Sequence, residues 1–276
     1  VGTNAVARDM DLLRRALGED RIALLGWSYG GTVVAGHADR YPDRVVAVVA
    51  DAPAHPGVPW SEQLAARFRT MHDRYGDALG DRDLRATTSG DGAWLEPAIL
   101  DAAVEVSLYD PARWPVLRAA VDGRDRDAIL VLANQRLGRQ KGGHDDGGME
   151  AQIAVRCSDL TGAEVRRVLD LRPDDRSAGI GTAVESICGS LGEPPRPLSS
   201  VAWFAEPPGD QIPGLVIGAI GDPASPFDMV ERLAVDTGWR LHAVDGSRHT
   251  SVGSDPGATK AAVAHLVEAF AHQVGS

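Results

Sequence analysis

The sequence is short of cysteine, of basic charge and of long apolar runs, and each shortage closes off a class of function. Its two cysteines, Cys157 and Cys188, stand in no C-x-x-C pair and beside no histidine at ligand spacing, so no metal signature is present. They can pair with each other or with nothing. Lysine and arginine number 28 against 39 aspartates and glutamates, a formal net charge of −11, and no basic block interrupts that excess. This argues against a nucleic-acid surface or an anionic membrane as partner and reads as a solvated acidic surface. No apolar run approaches the ~20 residues that span a bilayer; "VVAVVA" is far too short. The opening stretch "VGTNAVARDMDLLRRALGED" is polar and helical in pattern rather than a signal peptide. Val1 in place of methionine points to a processed or truncated product, or to a valine-coded start translated literally.

What is present has ordinary globular composition, 43% hydrophobic and 24% charged, enough for one large domain or two small ones. From Asn4 to Leu17 the apolar Val6, Met10, Leu13 and Leu17 recur at helical spacing, with Gly18 as the C-cap. "RIALLGW" and "VVAVVADAP" read as buried strands, apolar on both faces as parallel sheets require. The small-residue segment "GGTVVAGHADRYPDR" between them reads as a helix stopped by Pro42. This is a βαβ unit, whose crossover is expected to be right-handed. From about Pro59 to Pro208 strand signals are scarce. "SEQLAARFRTMHDRYGD", "EPAILDAAVEVSLYD", "PARWPVLRAAVDG" and "DRDAILVLANQRLG" are amphipathic helix candidates, and "GRQKGGHDDGGMEAQ" has the composition of a mobile loop. Trp60, Phe68, Trp94, Tyr109 and Trp114 in this stretch are spaced for packing. Strands return with "GLVIGAIGDPASP" and "WRLHAVDG", separated by the helix "FDMVERLAVDTG", and "ATKAAVAHLVEAFAHQV" closes the chain as an amphipathic helix. The expected fold is α/β: a parallel-sheet core from residues 1–58 and 209–276, split by a helical insertion over 59–208.

Gly26-Trp27-Ser28-Tyr29-Gly30 fits G-x-S-x-G, with a strand before it and a helix after. A sharp strand-to-helix bend would hold Ser28 in a strained conformation with its oxygen exposed above the sheet edge. A side chain at Gly26 or Gly30 is expected to collide with the turn. The helix aims its free N–H groups and positive end at the same spot, with the Tyr29 N–H as an oxyanion donor. Serine needs a base, itself held by an acid, in the chain order Ser, Asp or Glu, His. His37 follows the serine directly, and His55, His72 and His144 precede any later strand-end acid. His242 falls in a strand, and His265 and His272 on the last helix. His249 in "DGSRHTS", a loop after the final strand, remains as the base. Asp222 ends the preceding strand in a turn stiffened by Pro223 and Pro226 and is favoured as the acid. Asp228 opens a helix, where capping explains it, and Asp245 ends the last strand. "GWSYGG" lacks the P-loop lysine and the G-x-G-x-x-G spacing, so no nucleotide site appears, and no metal or organic cofactor is implied.

With these residues in view the chain resembles the α/β-hydrolase superfamily, and within it the tripeptidyl-aminopeptidase-like and proline-iminopeptidase-like branch. The resemblance rests on "GWSYGG" followed by "YPDRVVAVVADAP", and on "SLYDPARWPVLRAAVDG", "AVRCSD", "PGLVIGAIGDPASPF" and "DGSRHTS", over most of the chain from Asn4 onward. It implies roles for Ser28 as nucleophile, Asp222 as acid and His249 as base. It further implies hydrolysis near a peptide's free N-terminus through an acyl-enzyme, a helical lid that shapes the pocket, and acidic groups there that read the substrate's amine. Asp159 is a candidate for that last role, or a turn-capping aspartate. The family leans towards export.

The family also begins with further strands and a His- and Gly-rich loop that gives a second oxyanion donor, and nothing here corresponds to them. A partial α/β-hydrolase fold of four recognisable strands is therefore expected, with "RIALLGW" as an exposed apolar edge. The counterpart is a missing N-terminal half supplied in cis or in trans. The first expectation is a serine hydrolase, an exo-acting peptidase on a small peptide or ester. An esterase or biosynthetic acyl hydrolase would use the same triad, and a non-catalytic remnant or subunit would keep its residues unused.

Overall fold

The computed structural model describes residues 1–79, 97–139, 147–169, 187–190, 198 and 202–274. Trp94 and His144 lie outside them, as does most of the stretch read as a mobile loop. Four strands form one parallel sheet in the order β1-β2-β3-β4: β1 (Ile22–Trp27), β2 (Val45–Asp51), β3 (Gly214–Ala219) and β4 (Arg240–Val244). Registers such as Trp27↔Asp51, Asp51↔Ile217 and Ala219↔Val244 bring the carboxyl ends of the strands to one edge. That edge is where α/β sheets bind ligands.

Helices α1 (Thr3–Ala16) and α2 (Tyr29–Arg40) flank β1, and among the described residues eight more with full bounds follow. They are α3 (Trp60–Leu79), α4 (Pro97–Ser107), α5 (Arg113–Asp122), α6 (Arg126–Arg136), α7 (Gly148–Asp159) and α8 (Gly162–Leu169), then α9 (Phe227–Thr237) after β3 and α10 (Pro256–Val274) at the end. Every residue of β2 is buried, because both sheet faces are covered. Val45, Val48 and Ala50 pack with Val34, Ala35, Val230 and Leu233 of α2 and α9. On the opposite face Val49 packs with Ala258 and Ala262 of α10, and Val46 and Ala47 with Ala269. A separate core joins α4, α5 and α6 around Trp114, Leu117 and Ile129, and Trp60 packs elsewhere with Leu64, Leu160 and Val168. Cys157 and Cys188 are joined in a disulfide beside that second group.

Two local expectations change. The stripe Val6, Met10, Leu13, Leu17 is not what α1 buries: Leu13 and Leu17 are exposed. Its inner face is Ala7, Asp11 and Arg14, because Arg14 turns inward to bond Asp11 and the carbonyls of Glu19 and Asp20. The loop composition before Gln152 hides the start of α7, whose Met149-Glu150-Ala151-Gln152 are good helix formers.

Candidate active site

The bend between β1 and α2 holds Ser28 at φ 52° and ψ −122°, a conformation that side chains rarely adopt and that neighbours must enforce. The Ser28 N–H donates to the Asp51 carbonyl at 2.8 Å, and the Ser28 carbonyl accepts from Gly31 and Thr32 of the first helical turn. A Cβ at Gly26 would run into the Gly30 carbonyl. Gly30 corrects the expectation of collision: a side-chain carbon there meets nothing within 4 Å. The second crowded position is Gly31, where a Cβ would lie 2.9 Å from Pro53 Cβ, so the close approach is between α2 and the chain leaving β2. Tyr29 and Gly30 open α2, and their N–H groups have no preceding turn to bond.

His249 follows β4 in a loop and is 8% exposed. Its Nδ1 lies 2.8 Å from Asp222 Oδ2, which makes Nδ1–H the donor and leaves Nε2 with the lone pair. Nε2 is buried and has no hydrogen-bond partner among the described residues, so no bond to Ser28 Oγ is formed. Such catalytic bonds are often long until substrate arrives. Asp222 is fully buried, and its Oδ1 accepts from the Ala224 and Ser225 N–H groups at 2.8 and 3.2 Å. Of its competitors, Asp228 accepts from the N–H of Met229 at the head of α9, and Asp245 is exposed.

Three residues beside the site, Asp51, Tyr109 and Arg67, belong to none of the catalytic motifs in the sequence. Asp51 ends β2, is fully buried, and its Oδ2 accepts from the N–H groups of Ser251 and Val252 at 2.8 and 2.7 Å, fixing the His249 loop. Its Oδ1 has no partner among the described residues. Burial raises its pKa, against the two N–H bonds and the nearby His249; Asp222 adds to the rise. A lone acid closing an all-apolar parallel strand was the available clue. Tyr109 supplies the carbonyl that accepts from the His249 N–H at 3.3 Å and a ring against the imidazole, centroids 5.1 Å apart. Arg67 lies on α3. Asp159 departs from amine recognition: Oδ1 accepts from the Thr3 N–H at 2.8 Å and Oδ2 from Thr3 Oγ1 at 2.7 Å, so both oxygens cap the start of α1.

Ser28 and His249 open onto one cavity of about 600 Å³, walled also by Tyr109, Pro53, Trp60 and Met229. Its size lies within the range of small-molecule pockets. Among the described residues no cluster of side chains could hold a metal ion.

Residues 2–117 match the family model for the α/β-hydrolase fold. With the sheet order and the strand–serine–helix bend, this defines a protein of the α/β-hydrolase fold. Among curated proteins it is similar to the serine protease Hip1 of Mycobacterium tuberculosis, 26% identical over 91% of this chain and 56% of that protein. It is also similar to carboxylesterase B of the same organism, 29% identical over 96% of this chain and 58% of the relative. The chain thus spans little more than half the length of these relatives. Among solved structures, a hydrolase from Pseudomonas aeruginosa superposes with a TM-score of 0.46 at 18% identity, covering 96% of this chain and 72% of its own.

Proposed function

We propose that the chain is the catalytic part of a serine hydrolase in which Ser28 is the nucleophile, His249 the base and Asp222 the residue that orients it. One observation carries this above the others: a buried imidazole, fixed through Nδ1 by a buried carboxylate, has an unpartnered Nε2 at the cavity that Ser28 also lines. In the reaction Nε2 takes the Ser28 proton as Oγ attacks the substrate carbonyl carbon. The oxygen that becomes negative faces the Tyr29 N–H at the positive end of α2. His249 hands the proton to the leaving group, and water, activated by the same base, releases the acyl group from Ser28. Residues 1–58 and 209–276 form the core in this reading, and 59–208 the lid that walls the cavity.

The substrate is proposed to be a small peptide cleaved near its N-terminus, in keeping with the relative named as a serine protease. The relative named as a carboxylesterase favours an ester instead. Rates on aminoacyl and tripeptidyl anilides beside short nitrophenyl esters separate the two, with Ser28→Ala as the blank. Equal rates for the parent and Ser28→Ala on every substrate would end the hydrolase reading.

A further inference from the structure

The cavity contains a cation that the proposed chemistry leaves unused. Arg67 lines it from α3, and its Nε is shut off from water without a hydrogen-bond partner. Among the described residues the guanidinium has no carboxylate at ion-pair distance, and its carbon lies 5.8 Å from the centroid of the Trp60 ring. On the same indole lies Arg156, 3.4 Å from the ring centroid, so two guanidinium groups flank one wall.

The acids lining the cavity are already engaged. Both oxygens of Asp159 accept from Thr3. Glu164 Oε2 accepts from the N–H and hydroxyl of Thr161, while Thr161 Oγ1 accepts from the Glu164 N–H, a reciprocal cap at the head of α8. Buried donors are normally satisfied, and a guanidinium presents a planar fork of donors that matches a carboxylate. A guanidinium at a substrate cavity, with its buried Nε unpaired, fits a group that arrives with the substrate. One monoanion balances one guanidinium, whereas a phosphate dianion would also meet the carboxylates of Asp159 and Glu164.

Resting on the serine-hydrolase reading, we propose that Arg67 receives a carboxylate of the substrate, so that the site prefers anionic acyl substrates over neutral ones of equal length. This differs from amine recognition by acidic groups, for which the cavity offers no uncommitted Asp159 oxygen.

The test uses two pairs of esters. One pair carries the charge on the acyl side, 4-nitrophenyl hydrogen glutarate against 4-nitrophenyl pentanoate. The other carries it on the leaving side, 4-acetoxyphenylacetate against its methyl ester. The expected result is a kcat/KM ratio of about ten- to a hundredfold for the anionic member of at least one pair, the usual worth of a charge-assisted hydrogen bond. Arg67→Met should bring that ratio to about one, and Arg67→Lys should restore part of it. Free glutarate should also slow fluorophosphonate labelling of Ser28 in the parent protein and not in Arg67→Met. A parent ratio near one in both pairs overturns the proposal without needing any variant, as does a high ratio that survives in Arg67→Met. Failure of the hydrolase reading would look different: no ester turned over and no label on Ser28.

Discussion

At the scale of single residues, the bend around Ser28 separates two glycines that the sequence treats alike. Gly31→Ala pushes a methyl into Pro53 and is expected to destabilise the fold by about 1–3 kcal/mol. Gly30→Ala meets open space and should be neutral or up to about 1 kcal/mol stabilising within the helix. Thermal or urea unfolding of the two variants checks this; equal losses would contradict the packing described here. Asp51 offers a second residue-level prediction. Burial raises its pKa above the ordinary 3.8, so the folded state prefers the protonated acid. The stability this lends is fully present below pH 3.8 and is lost as the pH rises through the raised folded value. Asp51→Asn keeps an oxygen for the Ser251 and Val252 N–H groups and removes the titration. The melting temperature of Asp51→Asn relative to the parent should therefore climb from pH 4 towards 7. A constant difference would contradict the assignment. The bend at Ser28 and the positions of Asp222 and His249 after strand ends were legible because each is written in the adjoining sequence. Asp51 and Arg67 were not, since what sets them apart is burial beside distant residues.

At the scale of elements, β2 and β3 were legible because a parallel strand covered on both faces is apolar nearly throughout, whereas β4, with Arg240 and His242, is largely exposed. The face of α1 was not legible, because an arginine folded back onto Asp11 buries as readily as a leucine once its donors are satisfied. α7 was hidden by the glycines and aspartates before it. Its C-terminal end is held by the disulfide to Cys188, which closes 31 residues. Loop-closure entropy puts that link at about 3.5 kcal/mol. Cys157→Ser together with Cys188→Ser should lower stability by that order, read by unfolding with and without reductant. A double variant as stable as the parent, and insensitive to reductant, would contradict it. Because α7 and Trp60 both wall the cavity, substrate KM is expected to rise along with the loss.

At the scale of the whole molecule, apolar surface is exposed on more than one element. β1 is at the edge of the sheet, paired with β2 alone among the described residues, and Trp27 at its end is 50% exposed. α1 shows Leu12, Leu13 and Leu17, and α10 shows Val263, Val267 and Phe270. An open strand edge and exposed apolar side chains favour association. Light scattering should report self-association that grows with concentration, reduced by the pair Leu13→Glu and Leu17→Glu; a parent protein monodisperse at all concentrations would contradict this.

In the proposed chemistry the sheet's carboxyl edge brings a strained serine and an acid-held imidazole to one cavity for nucleophilic attack. Fluorophosphonate labelling followed by peptide mass spectrometry tests it most directly. One adduct is expected, on Ser28, formed far more slowly in His249→Ala and absent in Ser28→Ala. A folded protein that takes no label at Ser28, or labels equally fast without His249, would contradict it.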